Sequence, residues 1–111
     1  MKFSTEEIND IFIVKLDEKR LDAKEAVSFR DTITNFVNEK KYNVVIDFTN
    51  ITFIDSSGLG ALVSALKLIG RNGKLVLNNI NDTVFQTFTR TKMDKVFSIT
   101  KNTEEALKSF S

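Results

Sequence analysis

A carboxylate, two hydroxyls and two glycines stand together in the stretch FIDSSGLGAL, residues 53–62. The rest of the chain decides what chemistry that set can do. A serine nucleophile needs a base, and the chain has no histidine. A Ser–Lys pair would need one lysine set apart, and nothing in the sequence singles one out. A dinucleotide fingerprint requires a small residue three positions after its second glycine, where this chain has Val63. The later GRNGK, from Gly70 to Lys74, is too short for a phosphate loop and precedes a strand pattern rather than a helix. Asp17, Asp22, Asp47, Asp55 and Asp94 lack the spacing of a calcium loop and read as caps and solvated loop acids. No catalytic residue, metal or cofactor is therefore expected.

Two roles remain for an acid and serines that follow a strand and open a helix. One is plain capping, in which a side-chain oxygen accepts an unpaired amide hydrogen of the first turn. A single Ser or Asp does that, and Gly58 and Gly60 are poor helix residues, each costing about 1 kcal/mol against alanine. The surplus suggests a backbone that something approaches closely and a serine that is modified or touched. Phosphorylation would add about −1.5 to −2 charges. A helix start accepts an anion, because its free amides and dipole favour negative charge. The expectation is that such a modification leaves the fold intact and acts on a partner at the same surface.

The elements that must position this stretch follow from periodicity. KFSTEEI and IFIVKL read as two strands joined at Asn9-Asp10. Residues 22–41 read as a helix, with Asp22 and Glu25 spaced as a capping box and Ala26, Phe29, Ile33, Phe36 and Val37 on one face. NVVIDF is a β-branched run expected to be a central strand covered on both faces. After the DSSGLG turn, Leu62, Val63, Leu66 and Ile69 form a helical stripe that GRNG ends. KLVLNN reads as another buried strand. DTVFQTFTR reads as a short helix capped by Asn81 or Asp82, with Val84, Phe85 and Phe88 inward. VFSIT is a short strand, and NTEEALKSF a last helix with Asn102 and Glu105 spaced as a second capping box. The order β-β-α-β-α-β-α-β-α predicts an α/β fold, a mostly parallel central sheet with an antiparallel N-terminal edge hairpin and helices packed around it.

The bulk properties fit one domain over residues 1–111. The chain has 16 basic and 15 acidic residues, a formal net charge of +1, which argues against direct nucleic acid or membrane binding. It has no cysteine and no proline, so no disulfide supports it and no linker interrupts it. No apolar run reaches the roughly 18 residues of a membrane span, and the start carries no signal-peptide pattern. A cytoplasmic monomer is expected.

Residues 44–81, VVIDFTNITFIDSSGLGALVSALKLIGRNGKLVLNNIN, resemble the core of the STAS domain, and in particular the small bacterial anti-sigma factor antagonists. Strand, Asp-Ser-Ser-Gly-Leu-Gly turn, helix and next strand come in that family's order and spacing. Asp22 stands where the family has an Asp before its first long helix. The resemblance implies a partner switch. The unphosphorylated antagonist binds an anti-sigma factor that is also a Ser/Thr kinase and so frees a sigma factor. Phosphorylation of the first serine abolishes binding, and a PP2C-type phosphatase reverses it. On this chain the resemblance makes Ser56 the phosphoacceptor. Asp55 would position it, Ser57 would flank and cap it, and Gly58 and Gly60 would admit close contact. The partner surface would comprise Asp22, Asp55, Ser56, Ser57, Gly58, Leu59 and Gly60. An alternative within the same fold is a binding subunit of a secretion, motility or lipid-transport complex. The chain departs from the family pattern at Lys19, in place of a glycine, and at Lys92-Met93, in place of Gly-Leu.

Overall fold

The computed structural model describes all residues 1–111. The chain runs β1 (Phe3–Ile8), β2 (Ile11–Leu16), β3 (Arg20–Leu21), α1 (Ala23–Asn38), β4 (Asn43–Asp47), β5 (Phe53–Ile54), α2 (Ser56–Ile69), β6 (Lys74–Asn78), α3 (Asp82–Arg90), β7 (Ser98–Thr100) and α4 (Thr103–Lys108), with a single 3-10 turn at Met93–Lys95. Every element expected from periodicity is present. Two more, β3 and β5, are two residues long and pair only with each other.

The main sheet has the order β1-β2-β4-β6-β7. Its first pair is antiparallel, with Ile8 opposite Ile11, and every later pair is parallel. Asn9 and Asp10 make the hairpin turn with φ of 51° and 65°. A two-residue turn that follows the twist of its strands needs positive φ at both positions, and Asn and Asp tolerate it. The central strand β4 is covered on both faces, with Val44, Val45 and Ile46 fully buried.

The two faces are covered unequally. Val14, Leu16, Val44, Ile46, Leu75 and Leu77 pack under α1, α2 and α3 in the larger core, with Phe29, Ile33, Leu62, Ala65, Val84 and Phe88 among the residues above them. On the other face Ile11, Ile13, Val45 and Val76 pack with Ala106 of α4, Leu107 and Phe110. Each large side chain buried this way contributes about 1.5–3 kcal/mol. Phe85 departs from expectation: it is 37% exposed, while Val84 and Phe88 take the inward positions of α3.

Polar groups buried at the strand ends are satisfied. Asp47 Oδ1 accepts from the Thr49 amide at 2.9 Å, the Thr49 hydroxyl at 2.6 Å and Asn79 Nδ2 at 3.1 Å. Thr100 Oγ1 donates to Asn78 Oδ1 at 2.9 Å. No buried side-chain nitrogen or oxygen lacks a partner. No helix is long and apolar enough to cross a membrane.

Candidate functional site

The small ribbon β3–β5 builds the site. It is parallel, with Arg20 opposite Phe53 and Leu21 opposite Ile54. Strand side chains alternate between faces. Leu21 and Ile54 point into the core, at 1% and 4% exposure, so Arg20, Asp22, Phe53 and Asp55 share the outward face. Both strands run directly into helices. Asp22 therefore caps α1 and Asp55 caps α2 side by side, at the same end of the ribbon.

Each carboxylate holds its helix start. Asp22 Oδ1 accepts from the Lys24 amide at 3.1 Å, and Asp55 Oδ1 accepts from the Gly58 amide at 2.9 Å. The capping box expected at Asp22 and Glu25 is not closed; the Glu25 carboxylate lies 3.9 Å from the Met1 amine instead. Arg20 Nε donates to Asp22 Oδ2 at 3.1 Å, and the guanidinium carbon sits 4.0 Å above the Phe53 ring. That hydrogen bond holds the Asp22 carboxyl below its ordinary value of 3.8, helped by the Lys24 and Glu25 amides.

The residues of DSSGLG divide into an outer surface and a scaffold. Ser56 is the first residue of α2 and is exposed. Ser57 is half-buried and is not the cap, since Asp55 does that work. Gly58 is buried, and its close neighbour is internal rather than a partner: a Cβ there would lie 2.1 Å from the Leu21 carbonyl oxygen and 2.9 Å from Ile54 Cγ1. Only a residue without a side chain lets α2 begin against the ribbon. Leu59 is buried at 7% and packs in the core. Gly60 is half-buried in open space, its Cβ position 3.8 Å from Arg30 Nη2. Asp22, Asp55, Ser56 and Gly60 thus reach the outside at one place, while Gly58 and Leu59 hold the helix to the fold.

Arg20 and Phe53 belong to this surface and escaped the sequence reading. A two-residue strand is too short for alternation to register. The one available signal was an arginine two positions before a capping aspartate. The five aspartates weighed as metal ligands do not converge, and nowhere do three acidic side chains gather in a way that could hold a metal ion.

The STAS domain model matches residues 2–106 of the chain. This chain belongs to the STAS domain family. It is 31% identical over 96 residues to the anti-sigma-B factor antagonist of Listeria monocytogenes, an alignment spanning 86% of this chain and 80% of that one. An anti-sigma-factor antagonist STAS domain protein from Planctomyces limnophilus superposes with a TM-score of 0.86 at 19% identity, over 97% of each chain. The anti-sigma factor antagonist SpoIIAA in its unphosphorylated form gives 0.72 at 20% identity, covering 97% of this chain and 96% of the other. SpoIIAA of Bacillus in its phosphorylated form gives 0.73 at 20% identity, covering 99% and 100%. Lys92, where the resemblance leads one to expect a glycine, adopts the left-handed conformation that glycine favours, with φ of 61°.

Proposed function

We propose that this protein is an anti-sigma factor antagonist switched by phosphorylation of Ser56. The unphosphorylated chain binds a kinase-type anti-sigma factor through Asp22, Asp55, Ser56, Ser57 and Gly60, and a sigma factor is freed. The kinase modifies Ser56, binding is lost, and a PP2C-type phosphatase restores it. The observation that carries this reading is the division of labour at α2. Asp55 takes the cap, which leaves the Ser56 hydroxyl exposed at the first helical position with no structural duty. Support comes from the Listeria relative, named an anti-sigma-B factor antagonist, and from a fold neighbour solved in both phosphorylation states.

The physics of the switch lies at the interface. An anion at a helix start is tolerated by the fold. The same anion pressed between two surfaces loses its water, and an uncompensated interfacial charge costs about 2–5 kcal/mol. Ser56→Glu is therefore expected to melt within a few degrees of wild type and to lose at least roughly 30-fold in affinity for the anti-sigma factor. Ser56→Ala should keep binding and resist the kinase. The test is capture from the native lysate on wild-type and Ser56→Glu baits, followed by titration of the purified partner. A kinase-like ATPase held by wild type alone supports the switch. The same transport or secretion subunits on both baits would replace it with a constitutive binding role. An unfolded Ser56→Glu chain would contradict the tolerance argument.

A further inference from the structure

Arg20 is held in a way that leaves most of it unused. Its guanidinium carbon lies 4.0 Å over the Phe53 ring, and only Nε is engaged, with Asp22 at 3.1 Å. The two terminal amino groups make no hydrogen bond within the chain. Four of the five N–H donors of the fork are thus free. The side chain is 58% exposed, so nothing but the Phe53 face and one carboxylate oxygen fixes it. It sits on the outward face of the ribbon whose other strand leads through Asp55 into Ser56. The neighbouring charges on the ribbon are Asp22 and Asp55, both anions; beside α2, Arg30 Nη2 lies 3.8 Å from the Cβ position of Gly60, one turn beyond Ser56.

We infer that Arg20 is the intramolecular receptor for phosphate on Ser56: in the modified chain the guanidinium pivots on Phe53, releases Asp22 and pairs with the phosphoserine. The inference rests on the phosphoswitch reading of Ser56 and adds how the switch acts. A phosphate dianion offers three acceptor oxygens to a fork made for two-point contact, whereas Asp22 takes a single N–H. Pairing offsets the repulsion between the phosphate and the two carboxylates. It also withdraws a cation from the partner surface, so modification changes that surface twice. A Ser56→Glu side chain, with one charge and two oxygens, reproduces only part of this.

The titration needs no kinase or partner; a binding assay with the partner then separates the clamp from the switch. Phosphoserine is installed at position 56 of the full chain during synthesis, in wild type, Arg20→Gln and Arg20→Lys, and the phosphate is titrated by phosphorus NMR. Free phosphoserine ionises a second time near about pH 6. In wild type that step should fall at least about half a unit below its position in Arg20→Gln. Arg20→Lys, which keeps the charge and loses the planar fork, should lie closer to Arg20→Gln. The Asp22 carboxyl, followed by carbon NMR, should rise toward its ordinary value on phosphorylation, because it loses Arg20. The same phosphate titration in all three chains, an unmoved Asp22, or a lysine variant equal to wild type would each overturn the inference. If Arg20→Gln fails to fold, the lysine variant and the Asp22 readout still decide. Loss of binding on phosphorylation without a titration difference would sink the clamp and keep the switch. A titration difference with binding intact would do the reverse.

Discussion

The two helices that leave the β3–β5 ribbon begin almost alike and end with different duties. Asp22 and Asp55 cap them with nearly the same backbone, φ −125° and ψ −169° against φ −114° and ψ −174°. At α1 the next three residues are Ala23, Lys24 and Glu25; at α2 they are Ser56, Ser57 and Gly58. Asp22 is further tied to Arg20, whereas no cation pairs with Asp55. The third position shows the difference most sharply. The Glu25 carboxylate lies 3.9 Å from the Met1 amine, while Gly58 lies against the Leu21 carbonyl. The same capping chemistry thus serves a closed start and an open one. On the proposed reading, what capping leaves over at α2, an exposed hydroxyl beside the cap, is what the partner reads.

The largest break in this comparison is Gly58→Ala. The added carbon meets backbone at 2.1 Å, and a carbonyl in a paired ribbon cannot move aside as a flexible side chain would. Either α2 shifts or β3–β5 opens, at a cost of about 3 kcal/mol. Urea unfolding should show a midpoint well below wild type. Glu25→Ala, at the equivalent position of α1, meets no such clash and loses only the 3.9 Å contact with the Met1 amine, so it should cost clearly less than Gly58→Ala. If Gly58→Ala lost less than about 1 kcal/mol, the ribbon would not be what dictates glycine there.

That contact also marks where sequence reading stops. The hairpin, the buried strands and four helices were readable, because each repeats its pattern long enough to register. β4 announces itself through Val44, Val45 and Ile46, and α1 through Phe29, Ile33 and Phe36, all of them buried. Only the resemblance singled out Ser56 over Ser57, as a phosphoacceptor; that Ser56 is the more exposed of the two is legible in the structure alone. The ribbon was not, since two residues carry no period. With it were lost the places of Arg20 and Phe53 and the true reason for Gly58, which pattern reading gave to an approaching partner. Phe85 was misplaced because Val84 and Phe88, four apart, take the inward line of α3 and leave Phe85 at the edge of the apolar stripe, 37% exposed.

A smaller effect separates the two caps themselves. Asp55→Ala leaves the Gly58 amide unpaired at a part-buried site and should cost about 1 kcal/mol in thermal or urea unfolding. Asp22 differs in its acid response. Its carboxyl is held low in the folded chain, so its contribution is complete above the unfolded value of 3.8 and is lost as pH falls through the folded one. Wild type should therefore lose stability below that value more steeply than Asp22→Asn, in melting curves taken from neutral pH downward. Parallel curves for the two chains would mean that the Arg20 contact does not hold in solution.

The smallest effect has the opposite sign. Gly60 sits in the body of α2 with ordinary contact distance to its nearest neighbour, Arg30 Nη2 at 3.8 Å. Nothing in the fold requires glycine there, and a helix interior prefers alanine by about 0.5–1 kcal/mol. Gly60→Ala should raise the unfolding midpoint, where Gly58→Ala lowers it. On the proposed reading, glycine here admits the approach of the anti-sigma factor, so the stabilised variant should bind its partner more weakly. Gain of stability with unchanged binding would remove Gly60 from the partner surface and leave Ser56, Asp55 and the Arg20 face to carry it.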